Sequence, residues 1–163
     1  MNSPRRTATD LQTYLDGQKI AAKILHLTEE TPTVPDAARA LGVQAEQVIK
    51  SLVFLLNQEP ILVIANGVKK VDRRKLAAHF SVGQKRVKFA TAEQALAITG
   101  YIVGSMPPFG HQTRLPTYIE RQIMAWDTVY GGGGDIHAML KLTSETLLAV
   151  TAGQILAVMT DNE

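Results

Sequence analysis

The sequence contains no cysteine, and this absence excludes disulfide bonds, thiolate metal sites and a cysteine nucleophile. It also lacks any stretch near the ~20 uncharged apolar residues that a membrane span requires. Two arginines lie among the first ten residues, but no apolar segment follows them as it would in a secretory signal. With 163 residues and an apolar fraction of 45%, the chain is typical of a soluble, single-domain cytoplasmic protein.

Acidic residues are nearly missing from residues 69–88, where Asp72 is the single acid. The same window holds eight of the 17 basic residues, which are Lys69, Lys70, Arg73, Arg74, Lys75, Lys85, Arg86 and Lys88. Such a cluster is typical of a surface that binds a phosphate backbone. On composition alone, a solvated helix face explains it equally well.

Short helices and short strands alternate along the chain. Hydrophobic spacing and capping residues predict helices at residues 8–16, 33–41, 71–80, 91–99 and 146–150. Apolar runs predict strands at 20–27, 48–56, 60–67, 101–103, 117–120, 128–130 and 138–142, and a last strand or turn within 154–159. The pattern predicts a mixed α/β fold, a single domain over residues 1–163, with a curved, largely antiparallel, barrel-like sheet surrounded by short helices.

Residues 48–56 form a nearly continuous apolar run whose one charged residue is Lys50. A run this short and this rich in branched residues predicts a strand that is buried on both faces. Lysine is rarely buried without a partner, so Lys50 either marks the solvated end of the strand or lies in a cleft.

Two glycine-containing segments are candidates for a binding site. From Gly104 to Gly110, two prolines fix the backbone, and the flanking glycines allow close approach to a ligand. The four glycines at 131–134 predict either a tight bend or backbone amides that face a ligand, and Asp135 and His137 follow directly. This run lacks the lysine of a phosphate-binding P-loop.

Three stretches resemble the YbaK/EbsC family of trans-editing aminoacyl-tRNA deacylases, which are related to the editing domain inserted in bacterial prolyl-tRNA synthetases. They are residues 33–38 followed by 48–54, residues 103–110, and the glycine turn before residues 140–143. The resemblance covers about residues 8–150. It implies hydrolysis of the ester that joins a wrong amino acid to tRNA, without a cofactor or a metal.

The resemblance also implies roles for residues of this chain, with Lys50 contacting the 3′-terminal adenosine or its phosphate. The expected catalytic residues are Lys50, Gly104, Ser105, Asp135 and His137. The expected substrate-binding residues are His26, Met106, Pro107, Pro108, Phe109, Gly110, Gly133 and Gly134. The expected nucleic-acid surface consists of Lys69, Lys70, Arg73, Arg74 and Lys75.

The chemistry of these residues is compatible with that function. An aminoacyl ester is already activated, so the protein has to hold the ester, stabilise an oxyanion and position a water. Backbone amides near Gly104 or in 131–134 can supply the oxyanion donors. Ser105 has no nucleophile-elbow setting, and its hydroxyl either orients the substrate or stabilises a turn. A small pocket would admit alanine, serine or cysteine and exclude proline.

Two other functions stay open at this point. One is a non-catalytic module of the same fold that binds tRNA ends or nucleotides. The other is a metal-dependent hydrolase that uses His26, His111 and His137, although no known ligand spacing supports it. Aminoacyl-tRNA is the expected partner, with or without a docked synthetase, and the edited amino acid, the tRNA and the oligomeric state are open.

Overall fold

The computed structural model describes residues 5–31, 33–67 and 69–161. Five helices lie in these ranges: α1 (Ala8–Gln18), α2 (Val34–Leu41), α3 (Arg73–Phe80), α4 (Ala92–Thr99) and α5 (Ser144–Thr151). The first four strands are β1 (Ala22–His26), β2 (Ile49–Leu56), β3 (Glu59–Asn66) and β4 (Val87–Phe89). The remaining strands are β5 (Thr117–Glu120), β6 (Thr128–Gly132), β7 (Ala138–Thr143) and β8 (Gln154–Leu156). Short 3-10 turns cover Ala45–Gln47, Gln84–Arg86 and Arg121–Ala125.

The strands of the described ranges form two sheets. A three-stranded sheet has the order β1-β7-β6 and is antiparallel throughout. A five-stranded sheet has the order β4-β2-β3-β5-β8, in which β5 runs parallel to both of its neighbours. A bridge between Val48 and Tyr130 connects the start of β2 to β6. The predicted mixed α/β class is therefore confirmed, the strands are divided between two sheets, and the barrel-like curvature stays a prediction.

Local sequence signals explain most of the element boundaries. Thr33 and Thr91 cap α2 and α4, because each side chain accepts a hydrogen bond from a backbone N–H of the first turn. The hairpin between β2 and β3 turns through Asn57 and Gln58, whose φ angles of 49° and 72° match the left-handed turn that suits a two-residue hairpin. These predicted caps and the predicted hairpin are confirmed.

Three expectations about the elements are wrong. Residues 101–103 form no strand, because the N–H and the hydroxyl of Ser105 both donate to the Ile102 carbonyl and close a turn. Strand β4 was not expected, since its three residues carry no readable alternation. Helix α1 continues past Gly17 to Gln18, and Lys19 adopts the left-handed conformation that ends it.

The apolar core lies where the two sheets and the helices meet. Its largest cluster includes Ile64 from the five-stranded sheet, Leu140 from the three-stranded sheet and Leu11 from α1. A second cluster packs α3 against the other face of β2 and β3, through Leu76, Phe54 and Val63. None of the helices in the described ranges has the length and hydropathy of a membrane-crossing helix.

A buried carboxylate ties the end of the chain to the five-stranded sheet. Glu120, at the end of β5, is only 2% exposed. Its carboxylate accepts hydrogen bonds from the Gln122 N–H at 2.8 Å, the Val158 N–H at 2.9 Å and the Met159 N–H at 3.3 Å. Three backbone donors thus satisfy one buried carboxyl group.

We expect Glu120→Ala to lower the free energy of unfolding by about 3 kcal/mol, because it leaves buried N–H groups without an acceptor. Glu120→Gln keeps one carbonyl acceptor and should cost less. Urea denaturation of both variants measures the difference, with exposed Glu93→Ala as the control. Equal stability of Glu120→Ala and the wild type would contradict this role.

Candidate active site

A cleft of about 370 Å³ opens beside the first half of β2. Strand β4 pairs only with Phe54–Leu56, so the preceding residues of β2 have no β4 neighbour on that side. The cleft takes residues from both sheets, from the start of α2 and from the loop after α4. It is lined by Thr31, Thr33, Val34, Pro35, Ala37, Val48, Ile49, Lys50, Ser51, Leu52, Gly67, Val103, Gly104, Met106, Gly132 and Met139.

Among the residues that the structure describes, Lys50 is the one charged residue that lines this cleft. Its ammonium donates a hydrogen bond to the Lys69 carbonyl at 3.0 Å, and no carboxylate in the described ranges forms an ion pair with it. Burial lowers the pKa of Lys50 below its ordinary value of 10.5. An ammonium has three donors, so Lys50 can still hold a phosphate or a ribose oxygen in the cleft.

The opposite wall consists of Val103, Gly104 and Met106. Gly104 is exposed and has a φ of 97°, a conformation that a residue with a Cβ rarely adopts. No acceptor in the described part of the chain pairs with its N–H. The Gly104 amide is therefore a candidate donor to an oxyanion that forms in the cleft.

Ser105 does not line the cleft. Its side chain is buried, and its hydroxyl donates to the Ile102 carbonyl at 3.1 Å. Of the two interpretations open for this residue, the contacts match the turn-stabilising hydroxyl.

The glycine run supports the wall instead of presenting amides to a ligand. The Gly133 N–H donates to the Ala138 carbonyl at 3.1 Å, and the Gly134 N–H donates to the Ser105 carbonyl at 2.9 Å. A Cβ on Gly132 would collide with the Met106 carbonyl. Gly132 thus lets the turn pack directly against the backbone of the loop, whereas a Cβ on Gly133 would collide with the Ala138 backbone and one on Gly134 with the Ala8 backbone.

The second half of the proline loop lies behind the cleft. Pro108, Phe109 and Gly110 line a separate cavity of about 250 Å³, and the Pro107 carbonyl accepts a hydrogen bond from His111 Nε2 at 2.7 Å. Burial lowers the pKa of His111, which favours the neutral ring. Of the expected wall from Gly104 to Gly110, only Gly104 and Met106 reach the cleft that contains Lys50.

His26, Gly134, Asp135 and His137 lie together. They line a third cavity of about 340 Å³ that shares no residue with the cleft. Asp135 accepts a hydrogen bond from the Ala8 N–H at 3.3 Å, at the start of α1. His137 lies 4.0 Å from the Glu30 carboxylate, and both side chains are exposed. These residues therefore line a cavity of their own, which borders the cleft where the Thr31 N–H and hydroxyl donate to the Ile136 carbonyl.

The expected basic surface begins next to the cleft, because the Lys69 carbonyl contacts Lys50. Lys70 and Arg73 are exposed, and Arg74 lies 3.5 Å from the Asp72 carboxylate. The Lys75 ammonium contacts the Met159 carbonyl at 2.7 Å and the Asp161 carboxylate at 2.8 Å. Lys75 therefore holds the C-terminal segment, whereas Lys70 and Arg73 face solvent.

Several residues of the cleft were not expected from the sequence, notably Thr31, Thr33 and Ser51. The Thr31 hydroxyl donates to the Ile136 carbonyl, and the Thr33 hydroxyl donates to the Asp36 carboxylate. The Ser51 hydroxyl is buried and has no hydrogen-bond partner in the described ranges. The motif at 33–38 was a usable signal, because a capped helix start next to the Lys50 strand is positioned to form a wall.

Comparisons with known proteins give a consistent result. Residues 28–150 match the family model of the aminoacyl-tRNA editing domain. The chain is 28% identical over 116 residues to the uncharacterized protein YwhH of Bacillus subtilis, covering 71% of this chain and 72% of YwhH. It is 34% identical over 143 residues to the proline–tRNA ligase of Latilactobacillus sakei, covering 87% of this chain but only 23% of the ligase.

A solved structure gives the same relationship. A protein provisionally named a trans-editing enzyme for prolyl tRNA synthetase superposes with a TM-score of 0.87 at 29% identity. The match covers 94% of this chain and 97% of that protein. The family model, the relatives and the shared fold agree with the resemblance to YbaK/EbsC proteins, and the chain belongs to the aminoacyl-tRNA editing domain family.

Proposed function

We propose that this protein deacylates mischarged aminoacyl-tRNA that carries a small amino acid, alanine, serine or cysteine, on a proline tRNA or a related tRNA. One observation carries the proposal within the editing family. Lys50, a partly buried cation, and the Gly104 amide line the same cleft, and within the described ranges Lys50 has no acidic partner and the Gly104 N–H has no acceptor. A cation and an oxyanion donor in one cleft are the two features that ester hydrolysis at a nucleotide end requires.

In this proposal Lys50 anchors the terminal nucleotide and the Gly104 N–H stabilises the oxyanion. A water molecule adds to the ester carbonyl, and the bond between the carbonyl carbon and the ribose oxygen then breaks. The proton from the water ends on the ribose oxygen, which leaves a free amino acid and a free tRNA 3′ end. Thr31 and Thr33 are engaged in other hydrogen bonds, and Ser51 has no general base beside it among the described residues of the cleft, so the proposal takes water as the nucleophile.

Lys50 acts as an anchor and not as the proton carrier in this scheme. Its ammonium is already oriented by the Lys69 carbonyl, and a positive charge is the form that binds a phosphate or a ribose oxygen. Proton transfer can then use the substrate's own groups, because no histidine or carboxylate is found among the described residues that line the cleft.

The size of the cleft supports a sieve for small side chains. Val34, Met106 and Met139 contribute apolar surface to a space of about 370 Å³ that must also admit the terminal ribose. A pocket that excludes a larger or differently shaped ring discriminates sterically, which is the principle of an editing site.

The described residues that line the cleft include no histidine or carboxylate that could act as a general base, which favours one alternative, a module that binds tRNA ends without hydrolysis. The same assays separate the two functions, because such a module would bind charged tRNA and leave its ester intact.

For Lys50, we expect Lys50→Ala and Lys50→Met to lower the deacylation rate at least about tenfold, because the anchoring charge is lost. Lys50→Met should unfold at or above the wild-type temperature. The pKa of Lys50 is lower in the folded chain than in the unfolded chain, so at a pH below both values the folded state carries a partly desolvated charge. Methionine removes this charge and its desolvation cost. Single-turnover deacylation and thermal unfolding test both statements. A wild-type rate in Lys50→Ala would overturn the assignment.

For the substrate, we expect hydrolysis of alanyl-, seryl- or cysteinyl-tRNA above the protein-free rate and no hydrolysis of prolyl-tRNA. The confined cleft admits the small side chains and excludes the proline ring. A deacylation time course for each charged tRNA measures the preference. If binding is seen but none of the esters is hydrolysed faster than without protein, the non-catalytic alternative replaces this proposal.

For the basic surface, the double variant Lys70→Gln/Arg73→Gln should weaken tRNA binding and flatten its salt dependence, because each lost phosphate contact lowers the slope by about one. Lys23→Gln/Lys141→Gln is the matched control, since these two exposed lysines face each other on the three-stranded sheet. Binding titrations at several salt concentrations measure the slope. Equal weakening in both double variants would show only an effect of net charge.

A further inference from the structure

Phe89 is an exposed aromatic side chain at the edge of the five-stranded sheet. It lies at the end of β4, the edge strand, with 55% of its surface accessible. Its ring packs on the ring of buried Phe54, with 4.8 Å between the ring centroids. The underlying ring holds Phe89 in place while its outer side stays open, so a flat apolar surface is maintained against solvent.

Phe89 lies on the same face of the sheet as Lys50. It is the direct cross-strand partner of Phe54, and Lys50, Leu52 and Phe54 alternate along β2 on one face. Four residues of a strand place Lys50 about 13 Å from Phe54. Leu52, midway, lines the cleft. A chain that leaves the cleft past the edge of β2 that β4 leaves uncovered therefore reaches Phe89 within the length of a few nucleotides.

The surroundings of Phe89 are positively charged. Lys88 precedes it, and Lys85 and Arg86 lie in the turn before β4, all with exposed side chains. Helix α3, which carries Arg73 and Arg74, packs beside β4 and this turn. An exposed aromatic ring among cations is the combination that binds unpaired nucleotides, by base stacking and by contacts to the phosphates.

We propose that Phe89 is a stacking platform for one unpaired base of the tRNA 3′ end, next to the terminal nucleotide held at Lys50. The proposal rests on the proposed function, which places that terminal nucleotide in the cleft. Phe89 then sets the direction in which the acceptor end leaves the site, and the basic residues of α3 and of the turn contact the following phosphates.

An edge strand can also pair with a strand of another protein. Charge decides against that occupant here, because lysines on an edge strand oppose strand pairing. Those lysines alone do not explain why a large aromatic side chain stays exposed beside them. A nucleic acid accounts for the cations and for the ring together.

The test uses a tRNA acceptor minihelix whose 3′ end carries alanine through a stable amide, with binding to the full chain measured by fluorescence anisotropy. We expect Phe89→Ala and Phe89→Leu to weaken binding about 5- to 100-fold and Phe89→Trp to retain it. Leucine keeps apolar packing on Phe54, so a loss in that variant reflects the missing aromatic face. Ile155→Ala is the control, because Ile155 is 41% exposed on the opposite edge strand β8.

Abasic substitution identifies the stacked base. Removing the correct unpaired base should weaken wild-type binding and abolish the difference between wild type and Phe89→Ala. Unchanged affinity of Phe89→Ala, or a loss that persists at every abasic position, overturns the platform. A change in oligomeric state with unchanged RNA binding also overturns it, in favour of a protein partner.

The deacylation assay keeps the two proposals distinguishable. If wild type hydrolyses a charged tRNA but Phe89→Ala binds the minihelix normally, only the platform fails. If the platform variants lose binding while no ester is hydrolysed by wild type, only the catalytic proposal fails.

Discussion

A single hydrogen bond, from the Lys50 ammonium to the Lys69 carbonyl, determines the position of the positive charge in the cleft. It orients a partly desolvated charge without neutralising it, since a carbonyl brings only a partial negative charge, and the other two ammonium donors have no partner in the described ranges. The energetic cost of that burial is recovered only when an anionic or strongly polar ligand arrives. A carboxylate in the place of the Lys69 carbonyl would have offset the desolvation cost of Lys50, but it would also have removed the affinity of Lys50 for an anionic ligand.

The cleft forms where the two sheets meet, and each sheet contributes a different part of its wall. The five-stranded sheet provides the lysine, on a strand whose first half is not covered by β4. The three-stranded sheet provides the glycine turn, which packs against the loop that carries Gly104 and Met106. The bridge between Val48 and Tyr130 joins the two near this point. The lysine and the candidate oxyanion donor therefore belong to separate units that the core holds in register.

Short-range signals made much of this architecture predictable. Caps at Thr33 and Thr91, the β2–β3 hairpin and the isolated charge of Lys50 are all encoded within a few residues. The partners of the glycine turn were not predictable in this way. Asp135 follows the turn directly, yet it contacts the start of α1, 127 residues away in sequence. Proximity in sequence thus did not reveal which distant element each residue of the turn contacts.

The close packing of the glycine turn on the Met106 backbone has an evolutionary consequence. Main-chain atoms form that contact, so side-chain replacement cannot adjust the position of the loop in small steps. The wall formed by the start of α2 is different, because Val34 and Ala37 contribute side chains that can grow or shrink. Divergence in substrate preference among proteins built this way should therefore accumulate on the helix side, while the loop side is inherited unchanged.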